Sequence, residues 1–131
     1  MTEFNLVGLL FVSLGGGLGA CLRFLVDGWT TRRLDARGRN AGFGWGIGLV
    51  NLTGSRAMGI VAGLVFGASS QGAWASIAMV GILGGYTTFS TASIDTVRLL
   101  NQRRFLAAGV HASGMLVLSV ACVLAGLALV S

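Results

Sequence analysis

Gly81-Ile82-Leu83-Gly84-Gly85-Tyr86-Thr87-Thr88-Phe89-Ser90-Thr91 decides how this sequence is read. The run lies inside an apolar segment long enough to cross a bilayer as a helix, for which about 20 residues suffice. Two adjacent glycines, four Ser/Thr hydroxyls and Phe89 interrupt that segment near its middle. A segment that only anchored a chain would not need them. Backbone left unpaired in hydrocarbon costs several kcal/mol per group, so non-helical backbone at this depth has to be buried in protein or line a polar cavity. The stretch predicts a membrane helix broken at a pore or a binding site.

The rest of the chain is built to hold such a helix. Of 131 residues, 54% are hydrophobic and 10% charged, with 22 Gly and no Pro. That balance excludes a soluble domain of this size and leaves room for about four spans of ~20 residues. The spacing predicts one four-helix transmembrane domain over residues 1–131, all-α, with spans at Phe4–Val26, Phe43–Phe66, Ala73–Leu100 and Phe105–Val130. The first apolar run has no basic leader and no Ala-x-Ala site, so no cleavable signal peptide is expected. Cys21 and Cys122 both fall in spans and read as small packing residues, with no disulfide framework or metal pattern around them.

Glycine supplies the packing code. Gly15-Gly16-Gly17-Leu18-Gly19 gives the first span a small-residue face, and Gly44, Gly48, Gly59, Gly63 and Gly67 give the second span spacings built from fours. Helices that associate in lipid need this kind of close approach. Polar residues are few. Arg23 ends the first span, either snorkelling to the interface or pairing within an assembly. Asn51 sits in the second span, followed by Thr53, Gly54, Ser55 and Arg56. A guanidinium as deep as Arg56 has to face water or a partner, because exposure to lipid is costly. His111 in the fourth span has no accompanying carboxylate or Cys pattern, so it reads as a hydrogen-bonded packing residue rather than a ligand or proton relay.

The net charge of +5 comes from nine Arg and no Lys. The arginines do not form a nucleic-acid patch. Arg32, Arg33, Arg37 and Arg39 lie in the first connection and Arg103 and Arg104 in the third, whereas the opposite face carries Glu3 and no Lys or Arg. The positive-inside rule then places both basic loops in the cytoplasm and both termini outside a plasma membrane, with anionic lipid head groups against the arginines.

No set of nucleophile, base and orienting group lies within the spans, and no His/carboxylate cluster suits a metal, so an enzyme is not expected. What remains is a series of hydrogen-bond donors, Asn51, Thr87, Thr88, Ser90, Thr91, Ser93 and Ser113, with Phe89 among them. Ring edges carry positive charge, and with amide and hydroxyl donors they can replace the water around a small anion without holding it too tightly. Carbonyls freed at Gly84 to Thr87 could instead hold a cation, as in the broken helices of transporters. A Gly/Thr packing seam with a kink is the purely structural alternative. A four-helix proton-coupled exporter would need a mid-membrane carboxylate, and Asp95, near the end of its span, is the nearest candidate.

Three motifs in order, Gly15-Gly-Gly-Leu-Gly-Ala-Cys-Leu-Arg23, Asn51-Leu-Thr-Gly54-Ser55 and Gly84-Gly-Tyr-Thr-Thr-Phe-Ser-Thr91, give the chain a resemblance to the CrcB/Fluc family of fluoride channels. The resemblance implies an antiparallel dimer of four-helix subunits through which toxic fluoride leaves the cell passively. It implies that Asn51 and Phe89 line the fluoride pathway, and that Ser90, Thr91, Asp95 and Ser113 continue it. It also implies a structural sodium ion on the carbonyls of Gly84 and Thr87, with Arg23 as the family's first-span arginine. The sequence departs from the family at Ala92, where a second phenylalanine is usual, at Arg56, usually apolar, and at Gly109, where placing Ser113 by its motif calls for Tyr. A single sequence that forms an antiparallel dimer must insert both ways, which the one-sided arginines oppose. The expected partner is therefore a homologous subunit of opposite orientation, and a non-conducting structural subunit is the alternative.

Overall fold

A chain without proline, in a solvent that leaves no backbone group unpaired, folds into helices wherever it is apolar. The computed structural model describes residues 6–38, 42–67 and 73–130. Four helices are long and apolar enough to cross a membrane: Leu6–Asp35, Trp45–Val65, Ile77–Asn101 and Phe105–Ala128. Helix α1 is Leu6–Asp35, α2 is Trp45–Gly67, and α6 is Phe105–Ala128. The third span is composite. It runs through α3 (Ala73–Ser76), a π-helical segment (Ile77–Leu83), α4 (Gly84–Tyr86), a bend over 87–89 and α5 (Ser90–Asn101). Glu3, Phe4, Arg39 and the turn at 68–72 lie outside the described residues.

One boundary differs from the sequence reading. The first span was expected to stop at Val26 and give way to a polar loop, but α1 continues to Asp35. Hydropathy reports what can enter lipid, whereas nothing in residues 27–35 opposes helix formation. At about 45 Å, α1 is longer than a hydrocarbon core is thick, so its last turns emerge from it. Trp29 and Arg33, with the guanidinium carbon 5.1 Å from the ring centroid, suit the head-group level. Gly38 ends the turn beyond α1 at a φ of 64°.

Two seams hold the bundle. In the first, α1 packs on the π-helical segment and α4. A Cβ on Gly85 would strike the Gly16 carbonyl, and one on Gly19 would strike Ile82 and lie 2.8 Å from the Tyr86 nitrogen. In the second, α2 packs on α6, with Gly59 against the Val123 backbone and Gly126 against the Arg56 backbone. The glycine pattern is thus a packing code at these positions, although Gly17 faces open space. The α5 helix packs on α6 through a tight turn. Buried side chains are few and mostly small: Val50, Ile47, Leu99, Ala92 and Ala108 among them. Leu10, Leu14, Leu18, Phe24 and many other large apolar residues face outward, the inverse of a soluble domain.

Candidate functional site: the bend in the third span

The site is built where the third span stops being helical. The Leu83 carbonyl accepts both the Thr87 N–H and the Thr87 hydroxyl, each at 3.0 Å, and closes α4. Thr87 is extended, with ψ 155°. This turns both backbone groups of Thr88 sideways, and Asn51 of α2 pairs with both of them. The Thr88 N–H donates to Asn51 Oδ1 and Asn51 Nδ2 donates to the Thr88 carbonyl, each at 2.8 Å. Asn51 is only 9% exposed, and its side chain replaces helical pairing that the bend removes. Gly54, one turn along α2, lies so close to Thr87 and Tyr86 that no Cβ would fit. The helix restarts on a side-chain cap. The Thr88 hydroxyl accepts from the Thr91 N–H at 3.4 Å and lies 3.2 Å from the Ser90 hydroxyl.

The bend also redirects carbonyls. With its N–H on Asn51, Thr88 no longer donates to Gly84 four residues back. The Thr87 carbonyl accepts from Arg23 Nη1 at 3.3 Å, so Arg23 points inward to the bend instead of snorkelling away from it.

Beside the bend, α2, the third span and α6 enclose an open cavity of about 700 Å³. Asn51 and Ser55 line it from α2, Gly84, Thr87, Thr88, Phe89, Ser93 and Thr96 from the third span, and His111, Met115 and Ser119 from α6. Phe89 is 88% exposed, a phenyl ring projecting from the bend with almost no packing of its own. Ala92, where a second ring would stand, also lines the cavity.

The residues picked out in the sequence divide into groups. Asn51, Phe89, Gly84 and Thr87 come together at the cavity. Ser90 and Thr91 adjoin it through the Thr88 hydroxyl without lining it. Asp95 is buried beneath them, with Arg98 Nη1 at 3.3 Å from its Oδ1. Ser113 is exposed on another face of α6, its hydroxyl donating to the Gly109 carbonyl at 2.7 Å. Arg56 is exposed on the outside of α2, away from this cavity.

Sequence reasoning missed the surroundings of His111. Asp95 and His111 each lie six residues from the facing ends of α5 and α6, at Asn101 and Phe105, so the tight turn sets them at one height. That symmetry about the turn was the available signal.

A bundle of four membrane-crossing helices, with a side-chain-clamped bend opening on a cavity, defines a multi-pass membrane protein with a polar site inside its spans. The family model described as "CrcB-like protein, Camphor Resistance (CrcB)" matches residues 10–127, and the chain belongs to this family. Among similar proteins, one from Nitrobacter hamburgensis named "Fluoride-specific ion channel FluC 2" is 43% identical over 122 residues, covering 92% of this chain and 94% of the relative. "Fluoride-specific ion channel FluC 1" of Leifsonia xyli is 40% identical, covering 85% of this chain and 77% of the relative. "Fluoride-specific ion channel FluC" of a Caulobacter strain is 36% identical, covering 91% of each.

Proposed function

We propose that this chain is a subunit of a fluoride-specific channel that lets toxic cytoplasmic fluoride leave passively, and that it catalyses no reaction. The observation that carries this reading is the exposed Phe89 ring at the mouth of a cavity that also holds Asn51. A ring edge beside amide and hydroxyl donors offers a small anion weak, exchangeable contacts in place of water. Ser90, Thr91, Asp95 and Ser113 continue the pathway, with Ser113 entering it from the face of α6 that a second subunit covers. The names of the relatives support the choice of ion.

The partner in this reading is a homologous subunit of opposite orientation, forming an antiparallel dimer in the plasma membrane. This chain then has its termini outside and its basic loops in the cytoplasm. Arg56 supports a covered face: it is exposed near the middle of the second span, where a charge cannot face lipid. Ala92 leaves the cavity one ring short, which a partner's aromatic residue would supply.

A structural sodium ion on the Gly84 and Thr87 carbonyls completes the reading. The donors fit: both are hard oxygens, Gly84 is released by Thr88, and the Thr87 carbonyl keeps a lone pair beside the one that accepts Arg23. Bound there, the ion would neutralise carbonyl dipoles at the bend.

Fluoride efflux from liposomes tests the pathway. Phe89→Ile is the informative variant because Phe89 packs against so little that folding should be untouched. Efflux should fall to background with assembly intact. Unchanged efflux would remove Phe89, and the pathway drawn through it, from the proposal.

A further inference from the structure

His111 is 3% exposed and lines the inner end of the cavity. Its Nδ1 lies 2.9 Å from the Thr96 hydroxyl oxygen. That hydroxyl donates its one hydrogen to the Ala92 carbonyl at 3.0 Å. Thr96 can therefore only accept from the ring, and Nδ1 carries the hydrogen. In a neutral ring this leaves Nε2 as a bare acceptor. Nε2 is buried and has no hydrogen-bond partner among the described residues.

What Nε2 faces is another acceptor. Asp95 Oδ1 takes Arg98, while Oδ2 lies 2.6 Å and His111 Nε2 3.1 Å from where a Cβ on Gly44 would stand. The carboxylate oxygen and the ring nitrogen share a space too small for one methyl group. Gly44 has a φ of 74° and no side chain, and the Phe43 ring meets the imidazole edge-on at 5.3 Å between centroids, closing the site. Two buried lone pairs in one space repel unless a proton lies between them.

We propose that Asp95 and His111 form a proton-binding site at the inner end of the cavity, with the proton held on His111 Nε2 and donated to Asp95 Oδ2. Binding takes one proton from water. No other bond changes, and the pair goes from a net charge of −1 to neutral. The surrounding charges are few. The α1 helix brings Asp27, close enough to Asp95 for their charges to interact. The α5 helix brings Arg98, whose side chain is 69% exposed. The α2 and α6 helices bring no other charged group within two turns of the site. Loss of the proton leaves a carboxylate unbalanced beside the cavity. If the cavity carries an anion, which rests on the proposed function, flux falls as pH rises and the proton leaves.

The experiment is nitrogen NMR of histidine-labelled protein in liposomes, with His111 the only histidine in the sequence, across about pH 5 to pH 9. The wild type should show an Nε2-bound proton in the acidic part of this range. Asp95→Asn should remove it at the same pH, because an amide N–H then donates to Nε2. A wild-type Nε2 with no proton throughout the range overturns the proposal, whether or not the variant assembles. So does an identical proton state in wild type and Asp95→Asn. Fluoride efflux read on the same liposomes separates the two readings. An Nε2 proton with no flux at any pH leaves the site standing and removes the channel. Flux whose pH profile is unchanged by His111→Gln removes the coupling between proton and anion.

Discussion

The two halves of the third span are held by opposite means. Upstream of the bend, the π-helical segment and α4 are anchored by backbone: Gly81 and Gly85 lie against the α1 main chain with no room for a Cβ. Downstream, α5 is anchored by side chains: the Thr88 cap, Thr96 on His111, Asp95 on Arg98 and Leu99 fully buried. The first half is rigid and carries no polar side chain inward. The second half presents hydroxyls and a carboxylate and adjoins the cavity. The lesson is that the joint is fixed by neither half. Asn51, from another helix, holds Thr88 in place, and Arg23 from α1 holds the carbonyl before it.

The strongest way to break this contrast is to put a side chain into the backbone seam. Gly85→Val drives its Cβ into the Gly16 carbonyl, which cannot move without shifting α1. Overpacking against main chain should destabilise by about 3 kcal/mol, and thermal unfolding in detergent should fall accordingly. The same substitution at Gly17, which meets nothing within 4 Å, is the control and should be nearly silent.

Next in size is the joint. Asn51→Leu leaves the Thr88 N–H and carbonyl without partners in a site shielded from water, at a cost of about 2 kcal/mol. Asn51→Asp keeps an acceptor for the N–H and loses only the donor, so it should fall between wild type and Leu in unfolding temperature. Phe89→Ile separates stability from conduction. With the ring 88% exposed, stability should move by less than about 0.5 kcal/mol while efflux is lost.

Much of this was written in the sequence. Hydropathy marks four spans because insertion depends on composition alone, and Gly84-Gly85 followed by hydroxyls marks the bend because helical pairing is weakest there. The emergence of α1 to Asp35 was not legible, since apolarity says nothing about a helix that has left the lipid. Nor was the π-helical segment Ile77–Leu83, whose residues would suit an α-helix equally. His111 was visible as a residue, but its carboxylate neighbour lies on another helix. Asn51 was read as a pore residue, while its double bond to Thr88 depends on how α2 meets the bend.

The smallest effect concerns how the downstream half ends. The Arg104 N–H donates to the Leu99 carbonyl and the Arg103 N–H to the Leu100 carbonyl, each at 2.9 Å, the paired pattern that closes a helix on a left-handed residue. That residue is Arg103, with a φ of 57°, where glycine is usual. A non-glycine residue in this conformation costs about 1 kcal/mol. Arg103→Gly removes that strain but gives the unfolded chain more freedom, worth about 0.5 to 1 kcal/mol in the other direction. The two nearly cancel, so unfolding should shift by no more than about 0.5 kcal/mol, towards greater stability. A clear loss instead would mean that the Arg103 side chain itself holds the turn, and that side-chain anchoring of the downstream half extends beyond Asn101.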